Sequence, residues 1–135
     1  MSQPPSNLLG LDIGEKRIGV ARVNLIAKIP EALDGLANNS YFSANLSKIV
    51  QDYSIDFIVV GLPRSLSGQE TDQSKYVRSF VDANMSNFEF VWQDETLSTV
   101  DAKSRMKQMG FEKRPAMLDS VAACIILEDY ILTCT

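Results

Sequence analysis

The hydrophobic pattern of the first thirty residues is that of short strands joined by tight turns. Residues 8–13 form an almost unbroken apolar run, residues 14–16 make a turn that begins with glycine, and residues 17–23 resume an extended pattern. Residues 25–29 are also apolar and end at Pro30, which cannot donate to a sheet ladder. The pattern therefore predicts three strands in an antiparallel meander.

Beyond this point helical and extended segments alternate. Continuous apolar runs at residues 56–60 and 88–92 predict buried strands, the first of them central and parallel. The resulting order, β-β-β-α-β-α-β-α-α, predicts an α/β domain with a mixed five-stranded sheet. Helical spacing of apolar residues predicts the helices in four segments, which lie around residues 43–53, 76–81, 98–109 and 118–132.

The chain is long enough for one domain with a sizeable core. It has 135 residues, of which 45% are hydrophobic. We expect residues 1–7 to be a disordered tail and residues 8–135 to form a single domain. No leader sequence and no apolar stretch of the ~18 residues needed to span a bilayer is evident, so we expect a cytoplasmic protein without membrane contact. Cys124 in its apolar run predicts a buried thiol, and Cys134 a tail position.

Charge and composition narrow the possible chemistry. Thirteen Lys and Arg against seventeen Asp and Glu give a net charge of −4, which argues against a surface coated in positive charge for non-specific binding. The chain has no histidine. A histidine general base, a histidine–cysteine zinc site and a Ser–His–Asp triad are therefore excluded within this chain.

Acidic residues stand at positions where strand and helix ends meet. Asp12 lies inside the apolar first strand, Asp94 and Glu95 follow the strand that ends at Trp92, and Asp119 opens the last helix. The carboxyl ends of parallel strands share one edge of a sheet, so these groups are expected to converge there. A helix cap explains Asp119 equally well, and a solvated turn explains Asp94 and Glu95. Asp12 is harder to explain by packing, because burying a carboxylate costs several kcal/mol unless it is compensated.

Converging carboxylates without histidine are typical of sites for hard, oxygen-preferring cations. Mg²⁺ or Mn²⁺ fits such a ligand set better than zinc does. Two such ions, roughly 4 Å apart, activate water and stabilise the leaving oxygen in phosphodiester cleavage. The pattern therefore predicts a site for Mg²⁺ or Mn²⁺, and we expect two ions.

Four blocks of sequence, in order along almost the whole chain, resemble the motifs of the YqgF family, also called RuvX. This family is described as Holliday-junction resolvases and is linked to pre-16S rRNA maturation. The blocks are residues 11–21 (LDIGEKRIGVA), residues 59–63 (VVGLP) with 68–70 (GQE), residues 94–102 (DETLSTVDA), and residues 119–123 (DSVAA) with 126–127 (IL).

The resemblance implies an RNase H-like fold with helices on both faces of the sheet and a metal-dependent nuclease site. Asp12 would be the central catalytic ligand of Mg²⁺ or Mn²⁺, with Glu95 and Asp119 completing the site. Asp94 would stand in a supporting position. The substrate would be pre-rRNA or branched DNA, and monomer and homodimer remain open.

Two positions depart from the family pattern. Thr96 stands where the family usually has Arg, which removes a cation beside the proposed site. Many RNase H-like nucleases carry an acid at the end of the fourth strand, where this chain has Gly61, Leu62 and Pro63. Glu70 in the following loop is a substitute for that acid only if the loop folds inward.

Basic residues near these motifs are candidates for contact with nucleic-acid phosphates. An ordinary solvated helix face explains the densest part of the set equally well. The candidates are Lys16, Arg17, Arg64, Lys103, Lys107, Lys113 and Arg114.

Two other functions compete with the nuclease. The acidic balance, Thr96 and the missing acid of the fourth strand favour a catalytically weak RNA-binding or ribosome-assembly module. The run Asp12-Ile13-Gly14 also resembles the first phosphate motif of actin-like kinases. Those proteins need two such lobes around the nucleotide, and a chain of this length supplies one.

Overall fold

A computed structural model describes residues 6–95 and 99–133, without the side chains of residues 99 and 100. The described part of the chain forms one five-stranded sheet in the order β3-β2-β1-β4-β5. The meander β1-β2-β3 is antiparallel, whereas β4 runs parallel to both β1 and β5. The elements are β1 (Asn7–Ile13), β2 (Arg17–Asn24), β3 (Glu31–Ala37), α1 (Phe42–Asp52), β4 (Phe57–Pro63), α2 (Asp72–Asn84), β5 (Phe90–Glu95), α3 (Thr99–Gln108), a 3₁₀ turn (Pro115–Met117) and α4 (Leu118–Thr133).

The two faces of the sheet bury different helices because side chains alternate along each strand. In β1, Leu9, Leu11 and Ile13 join the hydrophobic cluster that packs against α1 and α2. Leu8 belongs to a second cluster, which the sheet forms with α4. Asp12 has the same parity as Leu8, so it faces α4. The predicted mixed sheet with helices on both faces is confirmed.

Helix α4 lies unusually close to the sheet because glycines face it. A Cβ atom at Gly19 would overlap the backbone carbonyl of Asp119, and one at Gly61 would overlap the side chain of Ile126. At Gly10 a Cβ would come within 2.9 Å of the carbonyl oxygen of Ala123. Larger residues at these positions would push the helix outward, and the start of α4 would lose its place over β1 and β2.

The prediction of a third strand at residues 25–29 is wrong. The chain turns there, and β3 begins at Glu31, after Pro30 rather than before it. The side chain of Asn24 accepts a hydrogen bond from the backbone of Ile26 at 2.9 Å, which stabilises the turn. Ile26 and Ile29 are 88% and 77% exposed. These apolar side chains therefore lie on the surface and do not belong to a buried strand.

The last strand is displaced relative to its prediction. Strand β5 begins at Phe90 and extends through Glu95, so Asp94 and Glu95 belong to the strand and not to a turn after it. Strand β4 likewise continues through Pro63. Consecutive strand residues point to opposite faces, and this separates the two acids at 94 and 95.

The remaining expectations concern the N-terminal tail, the two cysteines and membrane contact. Asn7 already belongs to β1, and residues 1–5 lie outside the described residues, as do Thr96 and Cys134. Cys124 is a free, buried thiol, as predicted, and burial raises its pKa to about 12. Among the described helices, none combines the length and apolar character that a membrane crossing requires.

Replacing Gly19 by alanine tests the close approach of α4. We expect Gly19→Ala to lower the free energy of unfolding by about 3 kcal/mol or more, because the added methyl group meets backbone that cannot rotate away. Gly68→Ala is the control: Gly68 has a φ of 83° but open space around its Cβ position, so strain alone should cost about 1 kcal/mol. Urea denaturation measures both. Equal losses for the two variants would contradict the proposed close packing.

Candidate active site at the carboxyl edge of the sheet

Asp12 stands at the centre of the candidate site. It is partly buried near the end of β1, beside Gly19 of β2 and on the face covered by α4. Burial, and secondarily the negative charge of Asp119, raises the pKa of Asp12 to about 6. Among the described residues no Lys or Arg lies within ion-pair distance of its carboxylate. Asp12 is thus a carboxylate in an apolar strand without a cation to compensate it.

The first turn of α4 brings Asp119 to Asp12. The hydroxyl of Ser120 accepts a hydrogen bond of 3.0 Å from the backbone N–H of Val20, at a point where the pairing of β2 with β3 is irregular. This buried bond and the contact at Gly19 fix the start of the helix. Arg17 of β2 pairs with the carboxylate of Asp119 at 3.2 Å.

Glu95 approaches the site from the other side, at the end of β5. It is 9% exposed and has the same parity as Val91, which packs in the cluster of α4. Burial raises the pKa of Glu95 to about 9, followed by a hydrogen bond with Asp129 and by the charges of Asp129, Asp12 and Asp94. A hydrogen bond between two carboxyl groups needs a proton on one of them. The raised pKa of Glu95 places that proton on Glu95, with Asp129 as its hydrogen-bond partner.

Sequence reasoning missed Asp129. It lies on α4 ten residues after Asp119, which is about 2.8 helical turns and leaves the two side chains roughly 80° apart around the helix. Ala123 and Ile126 lie on the side of α4 that contacts the sheet, whereas Asp129 lines the cleft beside Glu95. Spacing along the helix alone therefore does not identify Asp129.

The other two acidic candidates, Asp94 and Glu70, have cationic partners. Asp94 lies on the face opposite Glu95, where Arg64 pairs with it at 3.2 Å. Glu70 pairs with Arg78 at 2.6 Å and with Arg64 at 4.0 Å. Arg78 is the main cause that lowers the pKa of Glu70.

The missing acid of the fourth strand has a steric explanation. Gly61 is the residue of β4 that faces α4 near this edge, and Ile126 occupies the space that its side chain would need. A carboxylate at this position is incompatible with the observed packing.

The donor set fits a hard divalent cation, because Asp12, Glu95, Asp119 and Asp129 offer only carboxylate oxygens. The arrangement is not a closed cage. Within residues 6–95 and 99–133, no three acidic or cysteine side chains lie close enough together to hold one ion. Arg17 offsets the charge of Asp119, and the raised pKa of Glu95 keeps a proton on that carboxyl group. A cation that gathers the three predicted ligands around Asp12 has to compete with both.

The predicted nucleic-acid-binding residues occupy several separate places. Arg17 and Arg64 lie at the carboxyl edge and are held by Asp119 and Asp94. Arg114 lies at the opposite side of the sheet, 3.8 Å from Asp34 of β3. The other four are exposed, with Lys16 in the β1–β2 turn, Lys103 and Lys107 on α3, and Lys113 after that helix. The set is therefore not one continuous patch.

A cleft of about 400 Å³ adjoins Glu95, between β5, α3 and α4. Arg105 lies on one wall and pairs with Glu128 at 2.6 Å. The cleft gives solvent access to the protonated carboxyl pair. Its lining residues are Glu95, Asp101, Ser104, Arg105, Gln108, Ile125 and Asp129.

Comparison with known families identifies the chain. The sequence profile of RuvX, described as Holliday junction resolvase, matches residues 6–133. The chain belongs to the RuvX family. The family resemblance of the four sequence blocks is thereby confirmed.

RuvX relatives match over nearly the whole length of both chains, and each carries the name "Putative pre-16S rRNA nuclease". A protein of Sulfurihydrogenibium sp. is 32% identical, over 93% of this chain and 90% of its own. One of Fusobacterium nucleatum is 34% identical, over 91% and 94%. One of Shewanella oneidensis is 35% identical, over 91% and 92%.

Solved structures share the fold of this RuvX chain at low sequence identity. Fowlpox virus resolvase in complex with Holliday junction DNA gives a TM-score of 0.55 at 13% identity, covering 95% of this chain and 98% of its own. T. thermophilus RuvC in complex with a Holliday junction substrate gives 0.55 at 12% identity, covering 95% and 94%. These likenesses confirm the RNase H-like fold.

The raised pKa values predict how stability depends on pH in the absence of metal. The pKa of Asp12 is raised from 3.8 to about 6 and that of Glu95 from 4.5 to about 9, so the folded protein holds protons that the unfolded chain has released. Their stabilising contribution is complete below pH 4 and is lost as pH rises through about 6 and about 9. We expect urea denaturation in EDTA to show stability falling from pH 5 to pH 9.

Asp12→Asn isolates one part of this loss. The free energy of unfolding of the variant should exceed that of the original protein by about 2–3 kcal/mol at pH 8. At pH 4 the two values should differ by less than about 1 kcal/mol. Asp82→Asn, an exposed carboxylate on α2, is the control and should follow the original protein at both pH values. A variant at Asp12 that gains no stability at pH 8 would refute the view that this carboxylate is uncompensated.

Proposed function

We propose that this RuvX protein hydrolyses phosphodiester bonds in structured nucleic acid, that it does so with one or two bound Mg²⁺ or Mn²⁺ ions, and that its substrate is precursor 16S rRNA. The observation that carries the proposal is the placement of Asp12. It is a partly buried carboxylate without a described cationic partner, and it interacts electrostatically with Asp119 on one side and Glu95 on the other. A divalent cation supplies the compensation that the protein does not.

Asp12, Glu95 and Asp119 would hold the ions. When bound, the ions lower the pKa of a water molecule and stabilise the leaving oxygen, so a histidine base is not needed. Side chains that now neutralise these carboxylates would have to give way to the ions. Arg17 now neutralises Asp119, and once cation charge replaces it, its guanidinium is free to contact a phosphate. Glu95 would have to lose its proton to solvent before its carboxylate could hold an ion, and its hydrogen bond with Asp129 would then be lost.

The choice of RNA rests on the relatives, which carry the name of pre-16S rRNA nucleases at 32–35% identity. Branched DNA is the second candidate, because the family itself is described as Holliday junction resolvase. Both substrates present phosphodiesters in structured nucleic acid. The same carboxylate site would serve either one.

Cleavage assays test the catalytic assignment. In Mg²⁺ or Mn²⁺ we expect the protein to cut an RNA that carries the 5′ boundary of 16S rRNA, and we expect Asp12→Asn to lower the rate by about 1,000-fold because the central ligand loses its charge. Asp82→Asn is the matched control and should keep the full rate. A four-way DNA junction assayed in parallel distinguishes the two substrates.

Two results would overturn parts of this proposal. Metal-dependent cleavage that survives Asp12→Asn would show that the site lies elsewhere. Salt-sensitive RNA binding without turnover in any divalent cation would favour the non-catalytic binding module.

Metal binding can be measured without turnover. At pH 8, a Mg²⁺ or Mn²⁺ concentration ten times the dissociation constant should raise the melting temperature by about 4 °C, since the cations bind the folded chain alone. We expect Asp12→Asn to lose most of this rise, whereas Asp82→Asn should keep it. An equal rise in all three proteins would mean that the cations bind somewhere other than at Asp12.

A further inference from the structure

The loop after β4 is a small hairpin of defined geometry, formed by residues 64–70 and called here the site hairpin. Arg64 and Glu70 form an isolated antiparallel bridge at its base. Above them the backbone N–H of Ser65 donates to the carbonyl of Gln69 at 2.9 Å, and that of Gly68 donates to the carbonyl of Ser65 at 2.8 Å. With Gly68 at a φ of 83°, this is a three-residue hairpin loop closed by a left-handed glycine.

Side chains stiffen the site hairpin further. The hydroxyl of Ser65 accepts a hydrogen bond from the backbone N–H of Gln69 at 3.1 Å and lies 2.8 Å from the hydroxyl of Ser67. At the base, Ser74 of α2 donates to the carbonyl of Pro63. Backbone and side-chain hydrogen bonds therefore hold the tip in a defined shape.

The tip of this hairpin is an apolar residue that nothing in the described chain covers. Leu66 is 95% exposed, the largest exposure among the large hydrophobic residues described. The loop could hold a polar residue here at no structural loss, because the backbone bonds and the two serines define the turn. The apolar side chain therefore has no role in folding that the structure reveals.

The site hairpin projects from the edge that carries the candidate site. Pro63 pairs with Glu95 in the sheet, and the backbone N–H of Arg64 donates to the carbonyl of Glu95 at 2.8 Å. Cations surround its base, since the positive charges of Arg78, Arg64 and Lys75 all lower the pKa of Glu70. Arg64 also pairs with Asp94. A nucleic acid whose phosphate lay at Asp12 would thus meet basic residues and then Leu66.

We propose that Leu66 inserts as an apolar wedge against a nucleobase where the paired part of the substrate ends. The inference rests on the proposed function and adds a residue that selects structure rather than sequence. Apolar side chains that enter a base step pay for unstacking with the burial of their own surface. That exchange is most favourable beside a base that has already lost one neighbour, and least favourable inside a continuous duplex. Leu66 therefore favours forked and branched substrates over plain duplexes.

Binding measurements in the non-cleaving Asp12→Asn background test this role. The probes are an RNA stem with a single-stranded 5′ extension, a four-way DNA junction, and a fully paired duplex of each nucleic acid, with 2-aminopurine beside the fork or branch. We expect Leu66→Ser to weaken binding to the forked or branched probe by about 5- to 20-fold, the loss of one largely buried leucine side chain. The increase in 2-aminopurine fluorescence on binding should disappear, and duplex binding should change by less than about 2-fold.

Two further variants control for hydrophobicity and position. Leu66→Met keeps an apolar tip and should bind within about 2-fold of the parent protein. Ile26→Ser removes an equally exposed apolar residue from the β2–β3 turn, at the end of the sheet opposite the site, and should leave all affinities unchanged.

The outcomes separate this inference from the proposed function. If Leu66→Ser binds the forked and branched probes like its parent, or weakens duplex binding equally, the wedge is refuted while cleavage that depends on Asp12 still stands. If the parent protein binds none of the probes, both proposals fail.

Discussion

The structure depends most on the close contact between the first turn of α4 and strand β2. Gly19 lets the backbone of Asp119 touch the strand, and the hydroxyl of Ser120 takes up the N–H of Val20, which the irregular ladder with β3 leaves free. A buried N–H without a partner would be costly, so the serine fixes the register of helix on sheet as well as its distance. This register places the Asp119 carboxylate beside Asp12. It also directs α4 across β1 and β4 toward β5, where Asp129 meets Glu95.

The carboxylates of the site differ in how far they are compensated. Asp119 pairs with Arg17, and Glu95 is held protonated beside Asp129, whereas Asp12 has no cationic partner among the described residues. Like charges this close cannot all remain ionised in a partly buried site without a counter-charge. Burial first, and neighbouring negative charge second, raise the pKa values of Asp12 and Glu95, while Arg17 offsets the charge of Asp119.

Sequence reasoning reached the features that depend on local pattern. Asp12 stands out because it is a charged residue within an apolar strand. The common edge at which the parallel strands end follows from the order of strands and helices alone. It failed where a side chain overrides local hydrophobicity: the Asn24 side chain stabilises the turn that makes residues 25–29 a surface segment. It also missed Asp129 and the pairing of Arg17 with Asp119, because both depend on the angle and distance at which α4 crosses the sheet. Those quantities are set by glycine contacts between residues about 100 positions apart, Gly19 and Asp119.

The same compensation links metal binding to substrate binding. A chain with a net charge of −4 approaches a polyanion most easily where its acids are neutralised locally, and at this edge Arg17, Arg64 and the proton on Glu95 already do so in part. Under the proposed function, a cation that took over Asp119 would release the guanidinium of Arg17 toward a phosphate. Because linkage is reciprocal, a phosphate that held Arg17 would in turn strengthen cation binding at Asp119. The chain has no histidine to relieve that competition near neutral pH, so the divalent cation would be the condition for both binding and chemistry.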